Sequence, residues 1–277
     1  MTLRTKLHIP RRALPGILAL ATALVMTLVL MLSLSINRPM PEAPETTAPP
    51  TVPPSPFLPS DFTYNEDGYL TCSTGTAVLG IDVSEHQNDI DWDLVKAAGV
   101  EFVMIRVGWR GQTEGKLTED TMAQINYAGA RAAGLKVGAY FFSQAITEQE
   151  AVAEAEFAMD RIRGWELDMP LVFDWEYVGD HARTADMDPG LLTDISVAFC
   201  ETVALAGYEP MIYFNVFQSE YLLHLEELTQ YPFWLAMYSD RMDYPYAVDM
   251  WQYSCTGQVA GIETDVDLNL WFPDSQN

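Results

Sequence analysis

Between about Asp61 and Phe272 the chain alternates two hydrophobic periods. Short runs rich in β-branched and aromatic residues read as strands: VLGIDVS (78–84), EFVMIRV (101–107), KVGAYFFS (136–143), MPLVFDWE (169–176), EPMIYFN (209–215), PFWLAMY (232–238), VDMWQYS (248–254) and DVDLNLW (265–271). Segments with helical spacing separate the earlier runs. Residues 92–99 predict a short helix. Residues 118–134 open on a capping signal and close at Gly134, and residues 147–164 do the same, closing at Gly164. Another helix starts at Asp188-Pro189, with Pro189 at its first position and Gly207 closing it. The recurring order helix, glycine, strand predicts β/α units on a parallel sheet. The last three strands lie too close together for full helices between them. The pattern therefore predicts an irregular TIM-like (β/α) barrel of about eight strands and five to six helices, with a hairpin-like finish. An open doubly wound sheet is the structural alternative. No GxGxxG or Walker-type glycine loop follows a strand, so nucleotide binding has no support.

Upstream the pattern changes. Residues 13–36 form an uncharged, mostly apolar run of 24 residues, and a hydrocarbon core needs about 20 to be crossed. Residues 37–60 are proline-dense and read as an extended spacer. The predicted organisation is a basic cytoplasmic stub (1–12), a transmembrane signal-anchor (13–36), a Pro-rich linker (37–60) and a barrel domain (61–277, core 78–272). A cleaved signal peptide is the rival to an anchor, with Ser33-Leu34-Ser35 as a passable cleavage site, but such peptides have apolar parts of only about 7–15 residues.

Charge sharpens this picture. Net charge is −24, yet residues 1–38 hold five bases and no acid, so residues 39–277 hold 10 bases and 39 acids, a net of −29. Bases ahead of the apolar run place the N-terminus in the cytoplasm and the body outside, at the cell membrane or secreted. So acidic a body repels nucleic acid, which excludes it as a partner. The three cysteines (Cys72, Cys200, Cys255) show no zinc spacing, and no obligatory Cys72–Cys255 bridge is expected. Neither a metal nor a cofactor is called for, and a monomer is expected.

Active sites of β/α barrels sit at the C-terminal strand ends. There this sequence places Asp82, Asp174, Glu176, Asn215, Tyr238, Gln252, Asp265, Asp267 and Asn269, with many aromatics. Asp174 and Glu176, two apart on one strand, point to one face with Cα atoms about 6.6 Å apart. They follow a buried-type run, MPLVF, so a solvated charge cluster does not explain them. Helix capping or cation binding would be the alternative uses. Paired carboxylates suit glycoside hydrolysis, where one acid protonates the leaving oxygen and another group stabilises the oxocarbenium-like centre. Crowding and burial should raise the pKa of the acid. Trp175, Tyr213, Trp234 and Trp251 read singly as core residues, although some should line a groove. His86, near Asp82 and Glu85, reads as a loop residue rather than a metal ligand.

The ordered strings GIDVSEHQNDIDW (80–92), VFDWE (172–176), PMIYFN (210–215), FWLAMY (233–238), WQYS (251–254) and VDLN (266–269) resemble the glycoside hydrolase family 25 lysozymes, the N-acetylmuramidases, over about residues 78–272. The resemblance implies cleavage of the β-1,4 bond between N-acetylmuramic acid and N-acetylglucosamine in peptidoglycan. It implies Glu176 as general acid and Asp174 as its carboxylate partner. Asp82, Asp267, Tyr140, Tyr213, Tyr238 and Trp251 are the expected substrate-binding residues. Two departures stand out: Phe141 where many members carry histidine, and Asn88 where glycine is common, a change that asparagine tolerates in a left-handed turn. The alternatives are a catalytically weak wall-glycan binder on the same barrel, or a hydrolase of another N-acetylated glycan such as chitin.

Overall fold

The computed structural model describes residues 51–273, so the basic stub, the apolar run 13–36 and the first part of the spacer lie outside the described residues. No helix among the described residues is long and apolar enough to cross a membrane. A short hairpin comes first, β1 (Phe62–Tyr64) paired with β2 (Leu70–Cys72). The barrel strands follow as β3 (Val78–Val83), β4 (Phe102–Arg110), β6 (Lys136–Ser143), β7 (Leu171–Trp175), β8 (Pro210–Asn215), β9 (Phe233–Ala236), β10 (Met250–Gly257) and β11 (Val266–Trp271), and β5 (Leu117–Glu119) is an antiparallel appendage on the end of β4. Among the described residues five α-helices accompany them: α1 (Trp92–Ala97), α2 (Ala123–Ala132), α3 (Glu148–Arg161), α4 (Pro189–Leu205) and α5 (Val216–Tyr221).

Strands β3, β4, β6, β7, β8, β9 and β10 run parallel. The circle closes through β11, which is antiparallel to both β10 and β3. All eight strands expected from the sequence are present, including the hairpin finish, because their β-branched and aromatic runs fill a sheet packed on both faces. Alternation along each strand divides the core in two. Outward residues such as Ile81, Val103, Ile105, Phe173 and Leu235 pack beneath the helices, while Phe102, Met104, Met169, Val172, Met211, Trp234 and Met250 fill the barrel. Gly80 is required by this filling, since a Cβ there would lie 2.2 Å from the Phe102 ring.

Helix ends follow their signals in three cases. Asp91, Thr147 and Asp188 each accept a hydrogen bond from a backbone N–H three residues on, and Pro189 opens α4. The helix expected at 118–134 instead begins at Ala123. Residues Leu117–Glu119 pair with Gly108–Arg110, and the buried Asp120 accepts from the Met122 N–H at 3.0 Å and from Arg106 at 2.8 Å. A strand pairing and a buried ion pair thus override the capping pattern.

Residues 51–60, assigned to the spacer from their prolines, lie against the barrel. Pro54 bridges Tyr246, the Ser55 N–H donates to the Pro245 carbonyl at 2.9 Å, and Phe57 packs on Phe272 with ring centroids 4.5 Å apart. The three cysteines are free thiols: Cys200 is buried, Cys72 half-buried and Cys255 exposed.

Candidate active site

At the C-terminal ends of the parallel strands, a cavity of ≈ 200 Å³ is lined by Asp82, Asp174, Glu176, Asp267, Arg106, Tyr140, Phe142, Tyr213, Trp234, Tyr238, Gln252 and the loop residues Ser84, His86 and Gln87. Larger depressions lie elsewhere, of ≈ 520 Å³ beside Pro232 and Asp249, ≈ 810 Å³ between Trp92 and Gly261, and ≈ 350 Å³ beside Asn88 and Met122. None of these gathers buried carboxyls, so chemistry rather than size identifies the site.

The mouth is built by strand parity. Residues two apart share a face, so Asp82 stands above Gly80 on β3, Arg106 above Met104 on β4, and Asp174 above Val172 on β7, with Glu176 just past the strand end. Each polar residue therefore caps an apolar one that seals the barrel below. Asp82 is the hub of a polar layer. Its Oδ2 accepts from Gln252 Nε2 and Asn269 Nδ2, each at 2.8 Å. Gln252 Oε1 accepts from the Tyr213 hydroxyl at 3.0 Å and the Tyr238 hydroxyl at 3.2 Å, and Asn269 Oδ1 accepts from the Trp234 indole at 2.9 Å. Asp174 differs: its Oδ1 is buried and has no hydrogen-bond partner. Such a group carries a desolvation cost of about 1–3 kcal/mol or more, which a bound molecule would relieve.

Electrostatics follow from this burial. Desolvation, then repulsion from Asp82, raises the Glu176 carboxyl to about 7. Asp174 is pushed well above the ordinary carboxylate range by burial first and the charges of Glu176 and Asp82 next, with Arg106 opposing. Burial and Asp82 raise Asp267 to about 9, and it shares a hydrogen bond with Asp82. Asp82 is itself raised by burial, against the pull of Asn269 and Gln252. A cluster of four carboxyls in so dry a space retains protons near neutral pH. Arg106 is the cation of the cavity. Asp120 binds it at 2.8 Å, with Glu85 at 3.7 Å.

The structure thus brings together Asp82, Asp174, Glu176, Asp267, Tyr140, Tyr213 and Tyr238. Tyr140 and Tyr213 are buried in the floor, whereas Tyr238 is exposed at the rim. Trp251, expected in the groove, is not there. It is fully buried on the outer face of β10, where its indole donates to the Met237 carbonyl at 2.8 Å and its ring meets Phe62 at 5.1 Å. Its neighbour Gln252 takes the inward position. Phe141 likewise faces outward onto Phe157, and Phe142 is the residue that reaches the cavity. Position 141 therefore costs the mouth no polar contact. Asn88 has the positive φ expected of it, 55°, but its ψ of −138° lies outside the left-handed turn that asparagine tolerates. Arg106 was not anticipated as a site residue, and Asn269, placed at the mouth by its strand-end position, had no role assigned to it.

The sequence profile of glycosyl hydrolases family 25 matches residues 81–262. Lysozyme M1 of Streptomyces globisporus is 30% identical over 212 residues, covering 70% of this chain and 67% of that protein. The solved modular autolysin LytC of Streptococcus pneumoniae superposes with a TM-score of 0.64 at 26% identity over 76% of this chain, which spans 50% of that protein's length. A family GH25 lysozyme from Aspergillus fumigatus gives a TM-score of 0.58 at 26% identity, over 73% of this chain and 97% of the other.

Proposed function

The chain belongs to glycosyl hydrolases family 25, and from that premise we propose that it is a lysozyme cleaving the β-1,4 bond between N-acetylmuramic acid and N-acetylglucosamine, with Glu176 as general acid and Asp174 as its partner. The observation that carries the assignment is the contrast within the pair. Glu176 is half-buried and raised to about 7, so a transferable proton is present on it near neutral pH. Asp174 has an oxygen with nothing to bind until substrate arrives. As the glycosidic oxygen takes the proton from Glu176, positive charge grows at the anomeric carbon. That charge favours the ionised form of Asp174, offsetting the burial that disfavours it in the free enzyme. Asp82, held by Gln252 and Asn269, adds its charge to the burial that keeps Glu176 protonated. Tyr238 offers an exposed ring for a sugar face at the rim.

We further propose that the barrel works outside the cytoplasmic membrane, held there by residues 13–36. The support is the uncharged run behind four bases, Arg4, Lys6, Arg11 and Arg12. Protease added to intact spheroplasts should then remove the domain and spare cytoplasmic proteins, and full protection would refute the topology. The activity is tested by digesting purified peptidoglycan and identifying the new reducing ends. Muramic acid ends are expected; glucosamine ends, or none, would overturn the reading in favour of another glycan or of a wall binder.

A further inference from the structure

Strand β7 stops before its chemistry does. Its ladder with β6 runs to Ser143↔Trp175 and its ladder with β8 to Asp174↔Tyr213, so the backbone carrying Glu176 lies beyond sheet support. Buried carbonyls at such a point need partners from elsewhere. Two glutamines supply them, one from each flank. Gln144 follows the last residue of β6 and is fully buried. Its Nε2 donates to the Glu176 carbonyl at 2.8 Å and to the Ser143 carbonyl at 2.8 Å, and its Oε1 accepts from the Thr184 hydroxyl at 2.8 Å. Gln218, on the helix after β8, is 1% exposed. Its Nε2 donates to the Trp175 carbonyl, and its Oε1 accepts from the Asn215 N–H at 2.9 Å. Both carboxamides are therefore locked at the oxygen end, and each donates to a carbonyl at the end of the strand that carries the acids.

The Gln144 clamp is anchored further out. Arg183 Nη1 donates to the Gln144 carbonyl at 3.1 Å while its guanidinium grips Glu150 at 2.7 and 2.9 Å. Thr184, next in sequence, is buried and holds the carboxamide. The loop after Glu176 thus folds back to fix the residue that fixes Glu176.

We propose that Gln144 and Gln218 are positioning residues for the Asp174/Glu176 pair, with Thr184 setting the orientation of Gln144. This rests on Glu176 being the acid. An acid displaced by about 1 Å loses on the order of 10²-fold in rate, so the clamps act on turnover more than on binding.

The test is kinetics on purified peptidoglycan with Gln144→Met, Gln218→Met, Thr184→Val and Glu176→Gln, each with a melting curve and a pH–rate profile. Each Met variant should lose at least about tenfold in kcat, with KM changed less than about threefold, and should shift the alkaline limb of the profile, because an acid moved in its pocket changes its desolvation. Thr184→Val conserves volume and frees only Oε1, so it should fold, lose a few-fold in kcat and shift the limb in the same direction. If the Met variants melt earlier but keep kcat and the limb, the glutamines are merely structural and the proposal fails. If they do not fold, an unchanged limb and kcat in Thr184→Val overturn it equally. Wild-type turnover in Glu176→Gln would instead overturn the acid assignment, and the proposal with it.

Discussion

Two buried carboxyls, one on a helix outside the barrel and one at the barrel's mouth, show burial doing different things. Glu154 on α3 is fully buried and raised to about 7 by desolvation, as Glu176 is. Yet Glu154 is completely answered: Arg110 donates to Oε1 at 2.6 Å and the Ser143 hydroxyl to Oε2 at 2.6 Å. Arg110 also holds the carbonyls of Gly115 at 2.7 Å and Glu150 at 3.0 Å. At the mouth, Asp174 keeps a buried oxygen with no partner, beside three more carboxyls and a cation already committed to Asp120. A raised pKa therefore does not separate structure from chemistry here. Between these two carboxyls the difference is the unmet hydrogen-bonding capacity of Asp174 among its neighbouring acids, whereas the network of Glu154 closes on itself.

The comparison can be broken from either side. The largest effect should come from the closed network. Arg110→Met leaves Glu154 buried without its cation and should lower stability by about 3–5 kcal/mol, read by denaturant unfolding. Turnover per folded molecule should change far less than stability does. A variant as stable as wild type would mean that the pair is idle. At the open network, Asp174→Asn should lower kcat by about 10²–10³-fold, equivalent to about 2.7–4 kcal/mol of transition-state stabilisation, while the melting temperature holds or rises because an unanswered acid has gone. A clear fall in melting temperature with turnover intact would make Asp174 structural.

A smaller effect sharpens the picture through pH. The folded protein holds Asp267 at about 9, far above its ordinary value near 3.8. The folded state therefore binds this proton more tightly than the unfolded chain does. The associated stability is fully present below about pH 4 and is lost as pH rises through about 9. Thermal melts from pH 5 to 9 should show wild type weakening, with Asp267→Asn weakening less. For a domain of this size, each kcal/mol retained corresponds to roughly 2–4 °C. Parallel curves for the two proteins would remove Asp267 from the coupled cluster.

How much of this was legible depends on the length of each signal. The eight barrel strands announce themselves because each carries several β-branched or aromatic residues in a row. β5 and the β1–β2 hairpin are three-residue pairings, too short to stand out as strands, and residues 51–60 look like a linker because proline density hides the contacts of Phe57 and Pro54. The four acids of the mouth were legible since apolar strands ending in carboxylates are costly without a purpose. Trp251 and Gln252 exchanged roles because composition alone does not fix which of two adjacent residues faces inward. The inward position of Met250, at the same parity as Gln252, settles it. Gln144 and Gln218 left no trace, as their work is on backbone carbonyls and depends on where the ladder ends.

The central claim is that the mouth's chemistry runs through the proton on Glu176. Glu176→Gln keeps the side chain's size and hydrogen-bonding capacity but has no proton to transfer. Peptidoglycan hydrolysis, measured as new muramic acid reducing ends per folded molecule, should fall by at least about 10²-fold, with glycan binding and melting temperature retained. Hydrolysis by Glu176→Gln at most of the wild-type rate, with the fold unchanged, would contradict the account.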